Sequence, residues 1–158
     1  MSTEIVEQAT LTVDLVLLAY DSALLRVAHV LLINGKFGWS LPGGKVRKDE
    51  RVHIALEREM QEGIELSPLA LYTREFIGVW DEPGRDPRGR YVSFVYRLIT
   101  SAKDAISPVA GSDAKEVRWF RLGALPKLAF DHMEIVRAAV RALPNGLLAT
   151  EMRGEKQG

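Results

Sequence analysis

The stretch that most restricts what this chain can become covers residues 43–66. Gly43-Gly44 makes a tight loop, Glu50 follows six residues after Gly44, and Arg58-Glu59-Met60-Gln61-Glu62-Gly63 lies on a helical run. At about 100° per residue, Val52, Ala55, Leu56 and Glu59 share one face of that helix, and Glu62 sits a turn further along its edge. A carboxylate therefore ends a stripe that periodicity would fill with an apolar side chain. Burying it is costly unless something positive compensates it. An arginine would serve, and so would a bound divalent cation; the glycine loop upstream favours the cation. Glu59 and Glu62, spaced i and i+3, can reach one ion, and a carbonyl of the Gly43-Gly44 loop can add a further oxygen, as suits magnesium. Asp49 is placed to cap this helix, which the pattern predicts to end near Glu62.

The flanking segments supply strands. Residues 11–20 and 24–33 alternate and then become continuously apolar, with Asp21-Ser22-Ala23 between them, which predicts a hairpin buried on both faces. Asn34-Gly35-Lys36 is a second turn, and Trp39 is read as core. Residues 69–79, 91–100 and 113–120 are further strands. Residues 101–112 are linker-like but too short to divide domains. Asp131, with Glu134 three residues on, starts a second helix whose apolar face is Ile135, Val136, Ala139, Val140 and Leu143. His132, beside that cap, is expected to be exposed or hydrogen-bonded. Strands, a helix, more strands and a last helix predict an α/β (α+β) layering, with a mixed sheet between helices. The 158 residues make one domain by length: a flexible N-terminus over residues 1–10, the domain over 11–144, and a disordered tail over 145–158.

Between two of the strands, Trp80-Asp81-Glu82-Pro83-Gly84-Arg85-Asp86-Pro87-Arg88-Gly89-Arg90 is dense in turn residues and arginine. Guanidinium matches phosphate oxygens in bidentate geometry, so Arg85 and Arg88 are candidates to clamp a pyrophosphate. Trp80 and Phe76 are candidates to stack on a base, with core packing as their alternative use. The formal net charge of zero offers no general field to attract nucleic acid or membrane. With no cysteine, disulfides and thiolate metal sites are excluded. No signal peptide or membrane-spanning run is present in the sequence, so a cytoplasmic protein is expected.

Gly44, Glu50, Arg58, Glu59, Met60 and Glu62 resemble the signature of the Nudix hydrolase superfamily: Gly, five residues, Glu, seven residues, Arg-Glu, an apolar residue, any residue, Glu-Glu, any residue, Gly, apolar. The end of the signature departs from it. Without gaps, Gly63 takes the place of the second Glu of the pair and Glu65 that of the glycine. With a two-residue deletion, Gly63 becomes the closing glycine, and the liking of glycine for helix ends favours this alignment. Either way one metal-ligand carboxylate is missing. The stretch from Pro83 to Arg90, followed by Val92-Ser93 and Tyr96, and the stretch Leu128-Ala129-Phe130-Asp131-His132 look like the ADP-ribose pyrophosphatase branch and related regulators of NAD metabolism.

The resemblance implies a Nudix-type α/β/α sandwich and a metal-dependent hydrolase acting on the pyrophosphate of a nucleoside diphosphate linked to another group, with ADP-ribose favoured. It implies a catalytic set of Glu59, Glu62, Arg58 and Glu50, in which Arg58 pairs with Glu50 to tie loop to helix. It implies substrate contacts at Arg85, Arg88, Gly43 and Gly44, and Mg2+ or Mn2+ held by Glu59, Glu62, the Gly43 carbonyl and an acid outside the signature, for which Glu116 and Asp113 are the candidates. The missing carboxylate keeps a second reading open, a weak or inactive module that binds or senses ADP-ribose-like nucleotides. The partner is a small nucleotide and a homodimer is expected. Regulators of this branch carry a DNA-binding domain after the Nudix part and this chain ends before one, so neither nucleic acid nor membrane is an expected partner.

Overall fold

The computed structural model describes residues 4–65, 74–111, 114–144 and 146–152. Its elements are strands β1 (Thr10–Asp21), β2 (Arg26–Gly35), β3 (Gly38–Ser40), β4 (Gly43–Lys45), helix α1 (Val52–Ile64), strands β5 (Glu75–Trp80), β6 (Tyr91–Thr100) and β7 (Glu116–Arg121), and helix α2 (His132–Arg141). Among the described residues no helix is long and apolar enough to cross a membrane.

The sheet is mixed, with seven strands. The path runs β3-β2-β1-β6-β5, with β4 also paired to β1 and β7 to β2. β1 and β6 are parallel and the other pairings are antiparallel. The predicted hairpin forms β1 and β2, and the Asp21 carboxylate accepts hydrogen bonds from the Ala23 and Leu24 backbone N–H groups in its turn. Alternation along β1 explains its unbroken apolar run. Val16 and Leu18 pack with Ile135, Val136 and Ala139 of α2, whereas Leu15 and Leu17 pack with Leu56, Met60 and Ile64 of α1. A strand covered by a helix on each face has no polar side to show, and the expected α/β/α sandwich is the result.

Several local expectations change. Asp49 does not cap α1: it adopts a left-handed φ of 65° in the loop, and the residue preceding the helix is Arg51, which makes no side-chain cap. The Glu50 carboxylate is turned back into the loop, where it accepts from the Arg47 backbone N–H at 2.9 Å. α1 also runs past Glu62 to Ile64, with Glu65 in the left-handed conformation at its end (φ 51°). Gly63 is therefore helical, which supports the ungapped alignment over the deletion. Two N–H groups of a later loop close this end, Val109 donating to the Ile64 carbonyl and Gly111 to the Gly63 carbonyl, each at 2.9 Å.

Within the expected tail, residues 148–150 pair with β2. Val27 N–H donates to Leu148 O and Thr150 N–H to Val27 O, both at 2.8 Å, and Ala149 forms a parallel bridge with Val27. An unpaired edge of β2 recruits this segment, a long-range pairing that its composition does not announce. The first part of the strand expected over residues 69–79, and Asp113, lie outside the described residues.

Candidate functional site

Two clefts meet at the glycine loop. The first is walled by Gly43, Arg47, Arg58, Glu59, Glu62 and Gly63. β4 holds Gly43 antiparallel to Asp14 and Gly44 to Val13. The approach of the loop to α1 is close: a Cβ on Gly44 would stand 2.2 Å from Glu59 Oε1, and one on Gly43 would stand 2.1 Å from the Val13 carbonyl oxygen. Both glycines are required by contact, the first by a carboxylate and the second by backbone.

Arg58 organises the acids around it. Its Nε donates to Glu50 Oε2 at 2.8 Å, its Nη2 to Glu50 Oε1 at 3.0 Å and to Lys45 O at 2.8 Å, and its Nη1 to Glu59 Oε1 at 2.6 Å. The hydrogen bonds from Arg58 and from the Arg47 N–H hold the Glu50 carboxyl down at about 2. Glu59 behaves in the opposite way. Burial raises its carboxyl above the ordinary value, outweighing the Arg58 hydrogen bond, and the nearby Glu62 adds to the rise. Glu62 is more open, its side chain 58% exposed, and lies 3.5 Å from Arg58 Nη1 and 3.4 Å from Arg47 Nη2. Gly63 leaves the neighbouring place empty, since a Cβ there would lie 3.5 Å from Glu59 Oε2 in ordinary contact.

The donors facing this cleft are oxygens: two carboxylates a helical turn apart and a loop whose backbone comes into contact with one of them. Such a set fits a hard divalent cation that keeps several waters or phosphate oxygens as ligands. Among the described residues no three His, Asp or Glu side chains converge tightly enough to hold a metal by themselves. Glu116 does not join them. It sits on β7 opposite Asn34, its carboxylate bonded to Arg118, and it is not among the side chains that wall this cleft.

The second cleft lies on the other side of Gly43 and includes Asp14, Phe37, Arg85, Arg88, Phe130 and His132 in its walls. Both arginines expected to touch substrate are here, and both are engaged. Arg85 Nε and Nη2 donate to the two carboxylate oxygens of Asp131 at 2.8 and 2.7 Å. Asp131 precedes α2 as expected, but this pairing replaces the predicted side-chain cap. Arg88 donates to Asp86 from Nε at 3.0 Å and Nη2 at 2.6 Å. Burial pushes the Asp86 carboxyl up, but the Arg88 hydrogen bonds win and hold it below its ordinary value.

His132 is buried, and its Nδ1 accepts the Leu41 backbone N–H at 3.0 Å, so the proton is on Nε2, 3.9 Å from Asp14 Oδ2. Asp14 is itself buried and accepts from the Ser93 hydroxyl. Trp39 is core, edge-on to Phe120 at 4.7 Å. Phe76 meets Tyr96 tilted at 60° and Trp80 packs against the core, and neither lines this cleft.

Sequence reasoning missed Arg47, Asp14, Phe37, Tyr91 and Phe130. Arg47 had a signal, a cation inside the loop between Gly44 and Glu50. Asp14 had a weaker one, an acid within an otherwise apolar strand. Phe130 had one in the stretch Leu128-Ala129-Phe130-Asp131-His132, whereas Phe37 and Tyr91 had none, because the rings come from three distant segments.

In this chain a glycine loop presses on a carboxylate helix, beside a cleft lined with rings and arginines. Comparison with known proteins places it in a family: the NUDIX domain model matches residues 11–139, and the chain belongs to the Nudix family. An ADP-ribose pyrophosphatase of Methanocaldococcus jannaschii is 38% identical over 128 residues, covering 78% of this chain and 72% of that protein. The ADPR responsive transcriptional repressor NtrR of Acinetobacter baylyi is 28% identical over 141 residues, covering 85% of this chain but only 54% of its own length. Among solved structures, the NUDIX domain of Shewanella oneidensis NrtR complexed with ADP ribose aligns with a TM-score of 0.69 at 27% identity, covering 85% of this chain and 88% of that one.

Proposed function

We propose that this chain is a Nudix pyrophosphohydrolase that cleaves the pyrophosphate of a nucleoside diphosphate linked to another group, with ADP-ribose as the favoured substrate. The observation that carries this reading is the contact of Glu59 with the Gly44 backbone, which sets a half-buried carboxylate, with Glu62 a turn away, beside a loop fit to receive phosphate. The likeness to the Methanocaldococcus jannaschii pyrophosphatase supports the substrate class.

Nudix hydrolases generally use divalent metal ions. In this chain Glu59, Glu62 and a carbonyl of Gly43 would hold one, magnesium or manganese, which when bound neutralises charge on the pyrophosphate. Arg58 and Glu50 are positioning residues: their paired hydrogen bonds lock the loop to α1 and aim the Glu59 carboxylate. Gly43 and Gly44 let the pyrophosphate approach the backbone. Arg47, a cation at the mouth of the cleft, faces the developing negative charge. Water attacks one phosphorus, the bridging P–O bond breaks with its electrons going to the departing phosphate, and a proton of the water passes to the Glu59 carboxylate. From ADP-ribose the products are AMP and ribose 5-phosphate.

A homodimer in the cytoplasm belongs to the same reading. The exposed Phe76 and Val79 on the edge strand β5 support the dimer. Formation of AMP across ADP-ribose, NADH and nucleotide sugars, with and without magnesium, tests the activity; a folded sample that turns over none of them refutes it. One observation favours a second reading, a module that binds ADP-ribose with little turnover. Gly63 stands where the signature has a glutamate, and the resemblance to a repressor that responds to ADPR points the same way. Tight ADP-ribose binding without hydrolysis would decide for it.

A further inference from the structure

Arg88 and the rings around it are the part of the second cleft that the hydrolytic reading does not use. The Arg88 Cζ lies 4.8 Å from the ring centre of Phe37, 4.5 Å from that of Tyr91 and 5.0 Å from that of Phe130. Phe37 and Phe130 contact each other with centroids 5.4 Å apart. Two features of this cluster are costly for the fold. Phe37 is 45% exposed, and Phe130 has a left-handed φ of 54°, a conformation that bulky side chains rarely adopt. Strained backbone persists where the surroundings force it, and it clusters at ligand sites.

The hydrogen bonds of Arg88 state how it can act. Nε and Nη2 both point at Asp86, and the Arg88 backbone N–H donates to the same carboxylate at 2.9 Å. One of its two bidentate edges, that of Nε and Nη2, is already occupied. The side chain, 37% exposed, also offers its flat π system, held in place by rings. Flat guanidinium and aromatic faces are the partners that nucleobases choose for stacking.

We propose that Phe37, Phe130 and Arg88 form the stacking wall for the nucleobase of the ligand, and that Arg88 acts there through its π face and not as a phosphate clamp. Gly43 is common to both clefts, so a ligand with its pyrophosphate on the glycine loop reaches this wall with its nucleoside half. Asp86 is the positioning residue that keeps the guanidinium plane fixed. The inference rests on the nucleotide reading of the site, but its test separates the two.

The two halves of the favoured substrate serve as probes: AMP carries the base and ribose 5-phosphate does not. Calorimetric titration of each into wild type, F37A, F37W and R88K is the measurement, with thermal melts to show that the variants are folded. F37A and R88K should weaken AMP at least about fivefold, the lower end of what one base stack contributes, and leave ribose 5-phosphate unchanged. F37W should keep AMP binding. Equal loss of both probes in R88K would mean a phosphate clamp and overturn the role of Arg88. Unchanged AMP binding in F37A, in a protein that still hydrolyses ADP-ribose, would overturn the stacking wall alone. Wild type that binds neither probe and hydrolyses no substrate would overturn the nucleotide reading, and this inference with it.

Discussion

The carboxylate of Glu59 rests on the Cα of Gly44, so closely that a single added methyl group would stand 2.2 Å from Glu59 Oε1. The obstacle is the end of a flexible side chain. Gly44→Ala should therefore swing Glu59 aside at little cost to stability while lowering kcat on ADP-ribose by at least about 100-fold, as expected when a group at the reacting centre is misplaced. Gly43→Ala meets the backbone oxygen of Val13 at 2.1 Å, which cannot step away. That variant should lose roughly 1–3 kcal/mol of stability. Comparing melts with turnover numbers for the two neighbours checks the distinction.

Gly63 lies inside α1, where an added Cβ would meet Glu59 Oε2 in ordinary contact at 3.5 Å. Gly63→Ala should raise stability by about 0.5–1 kcal/mol through helix propensity. Gly63→Glu should place a third carboxylate next to Glu59 and tighten magnesium binding severalfold. Isothermal titration with magnesium reads this directly, and weaker binding would show that the extra acid only repels its neighbours.

Arg58 and Arg47 hold the Glu50 carboxyl at about 2 in place of 4.5. A carboxyl depressed in the folded state stabilises the fold fully above its unfolded value, and that contribution is lost as pH falls. The melting-temperature advantage of wild type over Glu50→Gln should thus be complete above pH 4.5 and shrink steadily as pH falls toward about 2. Thermal melts across that window test it; an advantage independent of pH would mean that the pair contributes no charge.

Arg85 is 5% exposed at its side chain and bonded bidentately to Asp131. Asp131→Ala leaves a buried cation without its partner and should destabilise by roughly 3 kcal/mol. The double variant R85A/D131A should be less harmed than the sum of the two single changes, because it strands no charge. Urea denaturation of the four proteins measures the coupling.

The readable part of the site was the part carried by local spacing. Glu59, Glu62, Arg58 and Glu50 sit at intervals that a helix and one loop convert into proximity, and the structure joins Arg58 to Glu50 at 2.8 Å as the resemblance implied. β6 follows its alternation closely, with residues 91, 93, 95 and 97 all buried. Composition and turn residues pointed to Arg85 and Arg88, but could not show that Asp131 and Asp86 bond to them. The helix end was misjudged because a glycine usually marks a terminus, while here Glu65 takes the left-handed position and a distant loop caps the carbonyls.

By itself, then, the order of residues determined the layers of the fold, the two faces of β1 and the loop-and-helix acids, since periodicity acts over a few residues and needs no partner. Tertiary structure alone decided that Phe37, Tyr91 and Phe130 surround one guanidinium, that Asp14 meets His132 beneath Gly43, and that residues 148–150 join β2. Those contacts join segments up to about 120 residues apart, and they form only where a packed sheet has already fixed the positions of its loops.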